Sequence, residues 1–294
     1  MSSEPEMEVV KVSTDDHQFE LRVFRQVTNT LTNSSTIVCA PAMGVAARKY
    51  DTLALALSAH GFNVVIAELR GIGSSSVRAS RAEDYGYHEM ANIDLPAIHR
   101  QVETLFTGDN IYLLGHSLGG QMISLYLGQN PDAADGLILC ASCTVYYRNW
   151  AFPGNLGLLA FTQFGGLLAT LMGYFPGKKI GFGGQEARSV MQDWAYNARS
   201  GRYRSRQQGV DLETGLKQVG GPVLTINFAD DTFAPEAGTD HLVGKFSPAA
   251  SSARRRVRLN AEHLGVRKAD HFAWLKQPEE VALNVSNWVR SLAE

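Results

Sequence analysis

Residues 111–120 read "IYLLGHSLGG". Four apolar residues run into a turn of small residues, and Gly115-His116-Ser117-Leu118-Gly119 fits the pattern G-x-S-x-G. That pattern marks a nucleophile elbow only where a buried strand enters it and a helix leaves it. Otherwise Ser117 is one hydroxyl in an ordinary glycine-rich loop. The surrounding chain decides between the two.

Working outward, "TIVCAPA" (36–42), "NVVIAEL" (63–69), "GLILCAS" (136–142) and "GPVLTINFA" (221–229) read as strands that are apolar throughout. "RRRVRLN" (254–260) alternates and reads as a solvated edge strand rather than a polyanion site. Helices are expected over "KYDTLALALSAHG" (49–61), "HEMANIDLPAIHRQVETLF" (88–106), the residues after Ser117, and "PEEVALNVSNWVRSLAE" (278–294). Strands apolar on both faces, alternating with helices, imply a parallel sheet covered on both sides. The segment "EVVKVSTDDHQFELRVFR" alternates about a polar turn at Asp15-Asp16 and predicts an antiparallel hairpin. The alternation stops after Ser142 and resumes at residue 221. The expected architecture is a doubly wound, mostly parallel α/β sheet with an N-terminal hairpin. Its core is 1–145 and 211–294, with a helical cap inserted at 146–210.

The 294 residues are 45% hydrophobic and 19% charged, the composition of a soluble globular protein. A formal charge of −2 leaves no footprint for nucleic acid. Three cysteines, an odd number, argue against a disulfide framework and suit a reducing cytoplasm. The N-terminus "MSSEPEMEVVKV" is acidic and lacks the apolar core of a secretory signal. "CASC" (140–143) reads as small packed residues, because no second Cys/His pair completes a metal site. Residues 156–175, "LGLLAFTQFGGLLATLMGYF", carry no charge and are long enough to span a bilayer. Thr162, Gln163, Thr170 and the glycines lower their hydrophobicity, and the stretch lies mid-chain. The expectation is a pair of cap helices broken near Gly165-Gly166, over an apolar pocket or in transient contact with a membrane surface, and no transmembrane span.

Ser117 now has its context: a buried strand before it and a helical segment after it. Gly115, Gly119 and Gly120 supply the small neighbours that such a turn demands. The amide of Leu118 falls at a helix N-terminus, where it suits an oxyanion. A serine needs a base, and the base needs an orienting acid, in the order Ser, Asp/Glu, His. "FADDTFAP" (228–235) follows the penultimate strand; Asp231 stands four residues before Pro235, with Asp230 as the alternative. Asp270-His271-Phe272 follows the last strand, which makes His271 the base; His263 suits a polar surface role. The second oxyanion donor is expected from "CAPAMGVAA", at the amide of Met43 or of Ala42. His116 packs beside the nucleophile. It is grouped with Tyr146, Trp150, Phe161 and Phe164 of the aromatic-rich cap as a candidate substrate contact.

With these residues in place the chain resembles the α/β-hydrolases from residue 36 onward. "ELRGIGSSS" (68–76) is similar to that family's D-x-R-G-x-G-x-S turn, with Glu68 in place of the aspartate, and "PAMGV" replaces its commoner His-Gly pair. "GYFPGKKIGFG", "FADDTFAP" and "EHLGVRKADHFAW" resemble an uncharacterised bacterial subgroup near the serine-aminopeptidase and monoacylglycerol-lipase branch. The resemblance implies a fold and a mechanism without a substrate. The expected activity is hydrolysis of a carboxylic ester or thioester with an apolar acyl group through an acyl-enzyme on Ser117, with no metal or cofactor. An acyltransferase using the same intermediate, and a ligand-binding pseudoenzyme, are the competing readings.

Overall fold

Alternation of apolar side chains between two faces builds the central sheet. In the computed structural model, which describes residues 7–28, 31–206 and 208–293, Ile37, Cys39, Val64 and Ile66 face one core. Val38, Ala40, Val65 and Ala67 face the other. Residues 1–6 of the acidic N-terminus, and residue 294 at the end of the last expected helix, lie outside the described residues.

The chain forms β1 (Met7–Ser13), β2 (Gln18–Phe24), β3 (Ser35–Ala40), α1 (Asp51–Ala59), β4 (Asn63–Ala67) and α2 (Leu95–Leu105). Then come β5 (Asn110–His116), α3 (Leu118–Gln129), β6 (Gly136–Cys140), α4 (Gly154–Met172) and α5 (Arg188–Ser200). The last elements are β7 (Val223–Phe228), α6 (Glu236–Val243), β8 (Arg255–Leu259) and α7 (Glu279–Leu292). The strand order is β1-β2-β4-β3-β5-β6-β7-β8. The β1–β2 and β2–β4 pairs are antiparallel and the rest are parallel, as the sequence predicts. From β3 the chain moves first to β4 on one side and then to β5 on the other. The loops after β3 and β5 therefore diverge over a crevice, the usual ligand position in an open α/β sheet.

Two devices fix this frame. The hairpin turn is tied down by Arg70, whose guanidinium bonds Asp16 at 2.8 Å and Asp94 at 2.7 Å. Hydrogen bonding to Arg70 pulls the Asp16 carboxyl down to about 2. The edge strand β8 presents Arg255, Arg256 and Arg258 to solvent, and Arg258 pairs with Glu236 at 2.9 Å. Charged edges of this kind block strand addition by another chain.

Residues 146–210 add no strand to the eight-stranded sheet. Here one expectation is corrected: α4 runs unbroken through Gly165 and Gly166 and ends at Gly173, in the left-handed region at φ 87°. The glycines serve contact rather than interruption. A Cβ on Gly165 would lie 3.1 Å from Met191 Cε, and one on Gly166 would lie 3.1 Å from Ala195 Cβ, both on α5. Among the described residues α4 is the one helix long and apolar enough to cross a membrane by length and composition. One face packs on α5 through Thr162, Gly165, Gly166 and Ala169, while Leu156, Phe164, Leu167 and Leu171 are exposed.

Candidate active site

β5 delivers Ser117 to the mouth of the crevice. Its backbone has φ 54° and ψ −118°, a conformation that costs a non-glycine residue about 1–3 kcal/mol. The surroundings hold it there. The Ser117 amide donates to the Cys140 carbonyl, and its own carbonyl accepts from the Gly120 amide and from Ser142 Oγ at 2.7 Å. The packing leaves no room for side chains: a Cβ on Gly115 would lie 2.3 Å from Gly120 Cα, and one on Gly119 would lie 2.1 Å from the Ala40 carbonyl oxygen.

The structure brings Asp231, and not Asp230, to His271. The Nδ1–H of His271 donates to Asp231 Oδ2 at 2.8 Å. The second carboxylate oxygen accepts the amides of Phe233 at 2.8 Å and Ala234 at 3.1 Å. Asp230 turns the other way and accepts the Ala269 amide at 2.9 Å, which latches the loop carrying Asp231 to the loop carrying His271. With Nδ1 committed as a donor, Nε2 of His271 is the ring's basic nitrogen. Phe233 and Phe272 stand edge-on to the ring at 5.4 and 4.8 Å between centroids, and the Trp274 indole N–H holds the His271 carbonyl at 3.0 Å. His263, as expected, is an exposed residue that closes its own turn with Asn260.

His116 lies beneath this pair, fully buried, its ring 4.8 Å from that of His271. Burial, with His271 beside it, holds its pKa well below the ordinary histidine value, so the ring is neutral. Tyr50 Oη accepts the Ala42 amide at 2.8 Å and lies 2.7 Å from His116 Nδ1. A hydroxyl that already accepts one bond donates the other, so Nδ1 is the acceptor and the ring proton sits on Nε2. This contact also separates the two candidate oxyanion donors. The Ala42 amide is spent on Tyr50, whereas no protein acceptor takes the amides of Met43 or Leu118 among the described residues. Both Met43 and Leu118 line the cavity that Ser117 and His271 share.

That cavity measures about 620 Å³. Its walls are apolar, and its polar side chains are Ser117, His271, Thr232 and Gln121. Of the five candidate contacts, Trp150 and Phe161 line it, and the Trp150 indole N–H bonds the Thr232 carbonyl at 2.9 Å. The other three candidate contacts lie off it. His116 is buried below the floor, Tyr146 packs on His241 with centroids 5.2 Å apart, and Phe164 faces outward at 63% exposure. In their place stand Leu158, Phe182, Trp194, Phe233 and Phe272. Phe272 directly follows His271 and Phe233 lies two residues after Asp231, so both were legible in the sequence; Phe182 and Trp194 carry no local signal. A second cavity of about 590 Å³ shares Thr232, Phe233, His271 and Phe272 with the first, and Arg267, Lys268 and Lys276 line it.

Glu68 explains its own departure from the expected aspartate. It accepts the Ala47 amide at 2.8 Å and the Ser74 amide at 3.3 Å, bracing the loop that follows β3. Burial pushes its carboxyl above the ordinary range. Cys140 and Cys143 are buried free thiols, and Cys143 lies in the cavity wall.

A sequence model described as the alpha/beta hydrolase fold matches residues 36–266. A search of curated protein sequences finds no match. Among solved structures, ferulic-acid-bound Est1E from Butyrivibrio proteoclasticus is similar at a TM-score of 0.63 and 12% identity, covering 97% of each chain. The esterase domain of a Rhodothermus marinus protein is similar at 0.61 and 15%, covering 97% of this chain and 98% of that one. The enol-lactonase from Burkholderia xenovorans is similar at 0.57 and 16%, covering 95% and 100%. At these identities the likeness is one of fold.

Proposed function

The chain belongs to the alpha/beta hydrolase fold family, and on that premise we propose that it is a serine hydrolase of carboxylic esters or thioesters bearing a largely apolar acyl group. The observation that carries this reading is the 2.8 Å bond from His271 to a buried Asp231, beside a cavity whose wall includes the strained Ser117.

In this reading Nε2 of His271 takes the Ser117 proton as Oγ attacks the acyl carbon. The oxyanion of the tetrahedral intermediate rests on the amides of Met43 and Leu118. Asp231 holds the imidazole in its tautomer and stabilises the imidazolium. The leaving alcohol or thiol takes the proton from Nε2 and departs by way of the second cavity, and water then repeats the cycle on the acyl-enzyme. Residues 146–210 act as the cap, and Trp150, Leu158, Phe161, Phe182 and Trp194 hold the acyl group. The exposed stripe Leu156, Phe164, Leu167 and Leu171, on the outer side of the same cap, supports transient contact with a lipid surface. The three buried free thiols suit the cytoplasm.

Fluorophosphonate labelling followed by intact mass tests the proposal. The expected result is a single adduct on the wild-type protein and none on Ser117→Ala; equal labelling of both would refute it. A p-nitrophenyl ester chain-length series, with and without added alcohols, then separates hydrolysis from acyl transfer.

A further inference from the structure

Of the two polar side chains in the cavity that the acyl chemistry leaves unused, Thr232 is exposed and Gln121 is buried. Gln121 lies on α3, four residues and about one helical turn beyond Ser117. It lines the cavity and is 3% exposed, and its Oε1 is buried without a hydrogen-bond partner. The hydroxyls of Ser124 and Ser142, by contrast, are satisfied: Ser124 Oγ donates to the Gly120 carbonyl at 2.6 Å, and Ser142 Oγ to that of Ser117. An unpaired amide inside a protein is costly, and leucine or methionine would fill the same space at no such cost. The partner that satisfies Gln121 is therefore one the cavity admits.

From this we infer that Gln121 is a specificity residue that hydrogen-bonds a neutral oxygen on the substrate's acyl chain, so that the preferred esters are those of hydroxy acids. A hydroxyl both donates and accepts, and so matches whichever end of the amide faces it. Charged acyl groups are excluded, because no Lys, Arg, Asp or Glu lines this cavity among the described residues. One helical turn from the nucleophile, the amide meets the chain a few carbons beyond the carbonyl. The inference rests on the ester-hydrolase reading above.

The test compares kcat/KM for methyl hexanoate with its analogues carrying a hydroxyl at C2, C3, C5 or C6, with the uncatalysed rate subtracted. Wild-type protein is expected to favour at least one hydroxy ester by about tenfold or more, since a site built to bond a hydroxyl rejects the analogue lacking it. In Gln121→Leu and Gln121→Met that ratio is expected to collapse to within about twofold of unity. Removing an unsatisfied amide should also leave the Gln121→Leu melting temperature at or above that of wild type; Gln121→Met serves if Leu does not fold. A wild-type ratio of unity or less at every position overturns the inference, as does a preference that survives in both variants. If plain ester is turned over and Ser117 labels, such a result counts against Gln121 alone. If no ester is turned over and Ser117 does not label, the hydrolase reading itself has failed.

Discussion

Asp231 Oδ2 and His271 Nδ1 stand 2.8 Å apart, while the adjacent Asp230 bonds the Ala269 amide of the neighbouring loop. Two consecutive carboxylates thus divide two tasks. Asp231→Asn should lower kcat for ester hydrolysis by about 10³-fold or more, because the wrong imidazole tautomer is favoured. Asp230→Ala should cost about 1–2 kcal/mol in urea denaturation and less than about tenfold in kcat. Equal losses of activity would assign the acid wrongly.

Tyr50 joins the loop after β3 to the buried histidine. Tyr50→Phe removes the acceptor of the Ala42 amide and the partner of His116 Nδ1 in one step. Each group left unpaired costs about 1–3 kcal/mol, so the variant should be destabilised by about 2–6 kcal/mol. Its kcat should fall as the Met43 amide loses its support, with KM changing less. Denaturant melts and steady-state kinetics together check this; unchanged stability would contradict the network.

Gly44 sits where the loop after β3 meets the turn at Gly183-Gly184, at φ 72°, and a Cβ there would lie 2.4 Å from the backbone of both. Gly44→Ala should push the two loops apart and displace Met43. Fluorophosphonate labelling of Ser117 should slow by about tenfold or more, in keeping with the loss of one oxyanion donor. A wild-type labelling rate would mean that the loops yield at no catalytic cost.

Glu186 should make the stability of residues 146–210 depend on pH. Burial pushes its carboxyl up to about 7, and its Oε1 accepts the Gly184 amide at 2.6 Å. Asp193 on α5 is likewise raised by burial to about 7. The folded state holds these protons more tightly than the unfolded chain. Their contribution is therefore complete below the ordinary carboxylate range and declines as pH rises towards 7. Glu186→Gln keeps the neutral form throughout. It should match wild type near pH 5 and exceed it near pH 8, by on the order of 3 kcal/mol in urea melts. A difference independent of pH would rule out this account.

The outer face of α4 has a separate test. Leu167→Asp together with Leu171→Asp should abolish co-sedimentation with zwitterionic lipid vesicles while soluble p-nitrophenyl ester hydrolysis continues. Vesicle binding equal to wild type would remove the lipid contact.

The sheet was readable in the sequence because strands covered on both faces leave unbroken apolar runs, as in "NVVIAEL" and "GLILCAS". The elbow was readable because strand, small-residue turn and helix are contiguous around Ser117. Spacing favoured Asp231 and kept Asp230 as the alternative; the contact with His271 goes with a local turn in which the amides of Phe233 and Ala234 capture one Asp231 oxygen. The cap was the least legible part. An uncharged helix offers no amphipathic phase, so Phe161 and Phe164 look equivalent in sequence, yet one lines the cavity and the other meets solvent. Gly165-Gly166 misled for a related reason, since glycine marks both a break and a close approach between helices.

That close approach shapes the cavity from its far side. α4 and α5 meet through Gly165 and Gly166, and Gly173 and Gly201 end them in left-handed turns. Phe161 on one helix and Trp194 on the other stand in the same cavity wall, with ring centroids 6.1 Å apart. A larger residue at Gly166 would press on Ala195 and part the two helices, and the spacing of those two rings would change with it.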